Sequence, residues 1–95
     1  MPVRKPKTLF TMRKLLDAGI RQRKSDDYFD VTAMCMACDK DLQDYMELHK
    51  TERFHALLSK ELKLDGSELV EPKNKAGEIW VHPHVALNFA QWAFE

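Results

Sequence analysis

Gly77–Trp92, GEIWVHPHVALNFAQW, decides the fold of this 95-residue chain. Glu78–His82 reads as a short β-like run. Pro83 then suits the first position of a helix, because its φ is preset and that turn leaves the missing N–H unpaired anyway. From His84 to the chain end, Val85, Ala86, Leu87, Phe89, Ala90, Trp92, Ala93 and Phe94 make the helix apolar nearly all round, and only His84, Asn88 and Gln91 share a polar side. A helix with this pattern is buried: it plugs its own domain's core or meets a partner.

Outward from that stretch, Leu69–Pro72 is a second β-like run across Lys73-Asn74-Lys75-Ala76-Gly77, a hairpin with a cationic tip. Upstream, Thr51–Leu64 reads as a helix capped by Thr51, with Phe54, Leu57, Leu58 and Leu62 facing inward and Asp65-Gly66 ending it. Asp39–Lys50 places Leu42, Tyr45, Met46 and His49 on one face, with His49-Lys50 as the turn between the two helices. A shorter helix, Ala33–Cys38, takes Asp30 or Thr32 as cap. Ile20–Lys24 and Tyr28–Val31 read as strands around Ser25-Asp26-Asp27. Thr11 can cap a helix over Met12–Ala18, stopped by Gly19, behind an extended arm containing Pro2 and Pro6. This order is α+β, not a parallel βαβ sheet. Helix, turn, helix and basic-tipped hairpin is the order of a small winged-helix-like domain with short antiparallel strands, a helix-turn-helix and a closing C-terminal helix. Residues 1–19 form a basic N-terminal arm with a short helix, and 20–95 the folded domain.

Composition narrows the function. Fifteen Lys+Arg balance fifteen Asp+Glu, and 44% of residues are hydrophobic, which describes a globular domain and not a disordered tail. No run spans a bilayer, the N-terminus lacks a signal-peptide core, and two cysteines suit a reducing compartment. Residues 1–24 carry eight cations against one acid, a local charge of +7; residues 25–71 carry five cations against twelve acids, a local −7. Opposite-signed regions suggest a basic arm or face beside an acidic body, either a solvated arm that keeps the chain soluble or one that contacts phosphates.

Arg53, Ala56, Lys60 and Lys63 recur at i, i+3, i+7 and i+10 opposite the apolar stripe of 51–64, with Glu52 and Ser59 on the same side and Glu52 weakening the field: either an ordinary solvated helix face or a surface that can lie along a groove or a phosphate backbone. Lys73 and Lys75 of the hairpin tip, Lys50 between the helices, and Arg21, Arg23 and Lys24 of the first strand add cations, while Asn74 and His55 are the additional hydrogen-bonding readers. Asp41, Asp44, Glu47, Glu68 and Glu71 would repel phosphate if they faced it. Cys35 and Cys38 on one helix face read as core packing, with Met34 and Met36 beside them; the alternative is a zinc or redox site using Cys35, Cys38, His82 and His84. His49 reads as a satisfied core histidine, and Trp80 and Trp92 as core anchors. With neither a glycine-rich phosphate loop nor a nucleophile elbow, the sequence supports no catalysis and calls for no cofactor.

Three segments, Ile20–Cys35, Asp41–Leu48 and above all Gly77–Trp92, resemble the KilA-N domain of phage, bacterial and large-DNA-virus proteins, akin to the fungal APSES DNA-binding domain. In the last segment Trp80, Val81, His82, Pro83, Ala86, Ala90 and Trp92 fit the family string. Asp27 departs from the family's glycine and so calls for a left-handed backbone that Asp can adopt; Tyr45 stands for a frequent Trp and His84 for a frequent Asp. The resemblance implies a DNA-binding domain of phage or bacterial type, with transcription regulation as its class of role, a cytoplasmic location and association with the nucleoid. Double-stranded DNA is the expected partner. The alternative is a protein-protein interaction or dimerisation module that uses the apolar C-terminal helix to pair with a second copy or an acceptor protein; a homodimer or an attached C-terminal domain is the further partner expected.

Overall fold

The chain is described here by a computed structural model, which covers residue 17 and residues 19–93. The basic arm and the body of the expected helix 12–18 lie outside the described residues. Gly19 has φ +78°, the left-handed backbone a helix stop requires.

The chain enters through a tight hairpin. Gln22 bridges Phe29 in antiparallel sense, and the Asp27 amide donates to the Arg23 carbonyl at 2.8 Å. Asp27 takes φ +64°, the left-handed conformation expected where the family prefers glycine. Strand β1 (Phe29–Asp30) pairs antiparallel with β2 (Trp80–Val81), Phe29 opposite Val81 and Asp30 opposite Trp80. Val70 bridges the far side of Val81, so four short runs lie side by side. The rungs joining Glu71 N–H to Trp80 O (2.9 Å) and Asn74 N–H to Glu78 O (2.9 Å) close the expected hairpin over residues 69–82. This hairpin is the wing.

Helix α1 (Val31–Cys38) starts two residues earlier than expected, because the Asp30 carboxylate accepts from the Thr32 and Ala33 amides. The expected helix 39–50 is divided. Asp39 ends α1 in a left-handed C-cap, and Asp41 caps a short α2 (Leu42–Met46). Leu48 is extended, and α3 (His49–Leu62) begins immediately after it. The interhelical turn is therefore Glu47-Leu48, not His49-Lys50, and Thr51 lies inside the helix instead of capping it. The break moves His49 from the preceding helix into α3, and the buried stripe of α3 follows Thr51, Phe54 and Leu58, which leaves Leu57 beside it. His49 is exposed, not a core histidine; Leu57 is 58% exposed; and Leu58 and Thr51 are the buried positions. Asp65 does not merely end a helix: with Glu68 it forms a capping box that starts α4 (Gly66–Leu69).

Helix α5 (Pro83–Ala93) closes the fold. Val85, Ala86, Phe89, Ala90 and Ala93 are buried against Phe29, Val31, Met34, Tyr45, Leu58, Leu69 and Val81. Of the two roles open to an apolar helix, α5 takes the first and plugs its own core. Its start is capped by His82, whose Nδ1 accepts from the His84 amide at 3.1 Å. The architecture is α+β: five helices and a two-stranded antiparallel sheet among the described residues, a small winged-helix-like domain.

Candidate nucleic-acid interface

Strand alternation sorts the sheet into two faces. Phe29 and Val81 point into the core. The residues on either side of them point outward, and there Trp80 is covered by two arginines. The Arg21 guanidinium lies 5.6 Å and that of Arg23 5.0 Å from the Trp80 ring centre, with Arg23 also 5.1 Å from Tyr28. Trp80 is buried, but under these cations and not within the hydrophobic core cluster; Trp92 does pack against that cluster, as expected.

Both guanidiniums are tied by carboxylates. Arg23 donates to Asp26 at 2.6 and 3.1 Å and to Glu71 at 3.0 and 3.1 Å. Glu71 first and Asp26 second hold its pKa above the usual arginine range. Arg21 pairs with Asp30 at 3.3 Å and with Glu78. Tyr28 adds a hydrogen bond to the Glu68 carbonyl at 2.6 Å. These contacts fasten the first hairpin to the wing. The two arginines, expected to clamp phosphate, are thus already engaged, and Lys24 is the exposed cation of that hairpin.

Helix α3 presents its charges differently. Lys50, Arg53, Ala56, Leu57 and Lys60 are exposed, as is Lys63 in a left-handed C-cap. The only contact between a basic and an acidic side chain on the helix among the described residues is that of His49 Nδ1 with Glu52 Oε2 at 3.9 Å. None of Lys24, Lys50, Arg53, Lys60, Lys63, Lys73 and Lys75 has a carboxylate partner among the described residues. At the wing tip Lys73 and Lys75 are exposed, and Lys73 borders a cleft with Asp39, Lys40 and Asp41.

The two expected readers are occupied otherwise. Asn74 closes the wing turn, its Oδ1 accepting from the Ala76 and Glu78 amides at 3.0 and 2.9 Å. His55 turns inward, with Nε2 3.1 Å from the Tyr45 hydroxyl, which donates to Asn88 Oδ1 at 2.6 Å. With that hydroxyl proton committed to Asn88, Nε2 is the donor to the phenol oxygen. Burial lowers the His55 pKa and raises that of Tyr45. The sequence reading missed this inner triad; its signal was Asn88 on the narrow polar side of a nearly all-apolar helix.

Burial pushes the Cys35 thiol up to about 11, the neighbouring Cys38 adding to it, which is the reverse of a reactive or metal-bound thiolate. Among the described residues no three His, Cys, Asp or Glu side chains gather as a metal site. No helix there is long and apolar enough to cross a membrane.

A winged-helix-like α+β domain with cations exposed on its longest helix and on its wing is the build of a nucleic-acid-binding module. The family model of the KilA-N domain matches residues 14–95, and the chain belongs to that family, which is generally one of DNA-binding domains. No curated protein and no solved structure matches it.

Proposed function

We propose that this domain docks on double-stranded DNA through α3 and the wing. The exposed face of α3 lies along the major groove with Arg53 and Lys60 toward the duplex, Lys50 and Lys63 at its two ends. Lys73 and Lys75 rest on the backbone, and Lys24 of the first hairpin reaches an adjacent phosphate. The observation carrying this reading is the separation of charges: seven cations on the first turn, α3 and the wing lack carboxylate partners among the described residues, while Arg21 and Arg23 neutralise the acids beneath the wing.

With about six phosphates neutralised, log K falls against log[salt] with a slope of roughly −5. The test is a salt titration on random-sequence duplex, run beside single-stranded DNA and RNA. Replacing both Lys73 and Lys75 by Ala weakens binding uniformly across sequences and flattens the slope by about two units. Binding that ignores salt, or a double variant matching its parent, refutes the docking.

A further inference from the structure

Three large apolar side chains stay exposed among the described residues: Met36, Leu57 and Leu62. Met36 lies on α1, and Leu62 falls about 140° round α3 from Leu57, on the side of the buried stripe. Leu57 stands between two cations that have no carboxylate partner among the described residues, Arg53 one turn before it and Lys60 one turn after. Arg53, Ala56, Leu57 and Lys60 recur at i, i+3, i+4 and i+7, so they share one side of α3, and all four are exposed. Folding does not call for Leu57: Thr51, Phe54 and Leu58 make the buried stripe of the helix, and Leu57 stays outside the core cluster.

The dimensions of this strip suit one kind of surface. Arg53 and Lys60 are seven residues apart, about 10 Å along the helix axis, which is the rise of about three base pairs. A helix about 10–12 Å in diameter fits the major groove, about 12 Å wide. Glu52 and Glu61, both exposed, border the strip on either side, which weakens its general pull on phosphate and leaves more of the selectivity to base edges. A single leucine ringed by charges is too small to dock a protein, since a stable protein interface takes about 800 Å2 from each partner. It matches a group of its own size. Thymine offers one methyl on its major-groove edge, between walls of phosphate that attract Arg53 and Lys60.

We propose that Leu57, with Ala56 beside it, reads thymine methyl groups in the major groove, so that the domain favours duplex carrying that methyl over duplex without it. This contact rests on the duplex-docking reading and adds a base-reading residue to a surface of phosphate-seeking cations.

The test compares duplexes that differ in the methyl alone. Alternating dA-dT duplex is set against alternating dA-dU, which lacks the methyl. Alternating dG-dC is set against its 5-methylcytosine form, which gains a methyl at the same place in the groove. The full chain binds the methylated member of each pair about fourfold more tightly for each methyl covered, the gain from burying one such group. Salt slopes agree within each pair, because the phosphates are the same. Leu57→Ala and Leu57→Gln both place a good helix former at this exposed position and melt with the parent. In both variants the preference falls below about twofold at unchanged salt slope, since the apolar contact is lost and no charge is removed. Met36→Ala, a truncation on α1, retains the whole preference. Salt-dependent binding that ignores the methyl overturns the proposal and leaves the docking through α3 and the wing standing. A preference that survives both Leu57 substitutions overturns it as well, because another residue then makes the contact. Self-association of the free chain that Leu57→Ala abolishes, with the duplex preference untouched, overturns it in favour of a contact between copies. No binding to any of the four duplexes overturns this contact and the docking reading together.

Discussion

Arg23→Ala separates the two roles an arginine can have here. As a phosphate ligand it would contribute to DNA affinity and little to folding; as built, it joins residues 20–30 to the wing. Two partly exposed ion pairs contribute about 0.2–1 kcal/mol each after solvent screening. Stacking over two rings adds about 0.5–1 kcal/mol each. Together these give about 2–3 kcal/mol for the truncation, because Asp26, Glu71 and the faces of Trp80 and Tyr28 all lose their partner at once. For a domain of this size each kcal/mol shifts Tm by about 4–8 °C, so the variant melts roughly 10–20 °C below the parent. Arg23→Lys, which keeps the charge but not the planar fork, recovers less than half of the loss. The assay is thermal melting by circular dichroism, paired with tryptophan emission, which shifts red as Trp80 is uncovered. An Arg23→Ala domain that melts within about 3 °C of the parent yet loses about one unit of salt slope would overturn the assignment and return Arg23 to the DNA surface.

Three other outcomes follow from the same geometry. Trp80→Ala costs about 3 kcal/mol in urea unfolding, at the low end for removing a buried Trp, because the indole lies beneath two guanidiniums and outside the hydrophobic core; a loss near 5 kcal/mol would place it in the core after all. Burial lowers the pKa of His55 and His82, with His84 contributing to the latter, so the unfolded chain takes up protons first as pH falls below about 6.5. Stability is then complete above neutrality and falls between pH 7 and 5, and a Tm that stays flat over that range refutes it. Glu78→Gln retains an acceptor for the Asn74 amide but removes a charge beneath the wing and loosens Arg21; duplex binding at low salt tightens by about twofold, and unchanged or weaker binding shows the wing is not at the interface.

The parts of the fold carried by local chemistry were legible in the sequence. Pro83 opens α5, Gly19 and Asp27 take left-handed backbone, and the wing closes around Lys73–Gly77, because each depends on residues within a few positions. The division of 39–50 was not legible, since periodicity continues through a break: Leu42, Tyr45, Met46 and His49 keep helical spacing although Leu48 is extended. That break reversed the reading of His49, while Leu57 was misread because the buried stripe of α3 is the narrow one through Thr51, Phe54 and Leu58. At the site, the exposed cations of α3 and the wing tip lie where the spacing put them. The engagement of Arg21 and Arg23 depends on Glu71 and Glu78, which are 48 and 57 positions away and meet them only once the sheet forms. A hint was available in period two, since arginines and acids that alternate along neighbouring strands share a face and pair across it.

Zero net charge is a poor guide to what such a domain binds, because the acids have local tasks. Of the twelve acids between residues 25 and 71, Asp30 and Asp41 cap helices, Glu68 accepts from the Asp65 amide, and Asp26 and Glu71 hold Arg23. Each of these carboxylates spends its charge on a backbone amide or a guanidinium within about 3 Å, and at that range the field reaching a phosphate on another face is that of a dipole and not of a free ion. The lysines of α3 and the wing have no such partners among the described residues. Beyond a Debye length of about 8–10 Å the unpaired acids of the other faces are screened as well. A duplex therefore senses the exposed face it touches and not the sum over the chain. An acid-rich middle segment and a DNA-facing surface can coexist in 95 residues because helix capping and strand fastening absorb one sign of charge and leave the other outside.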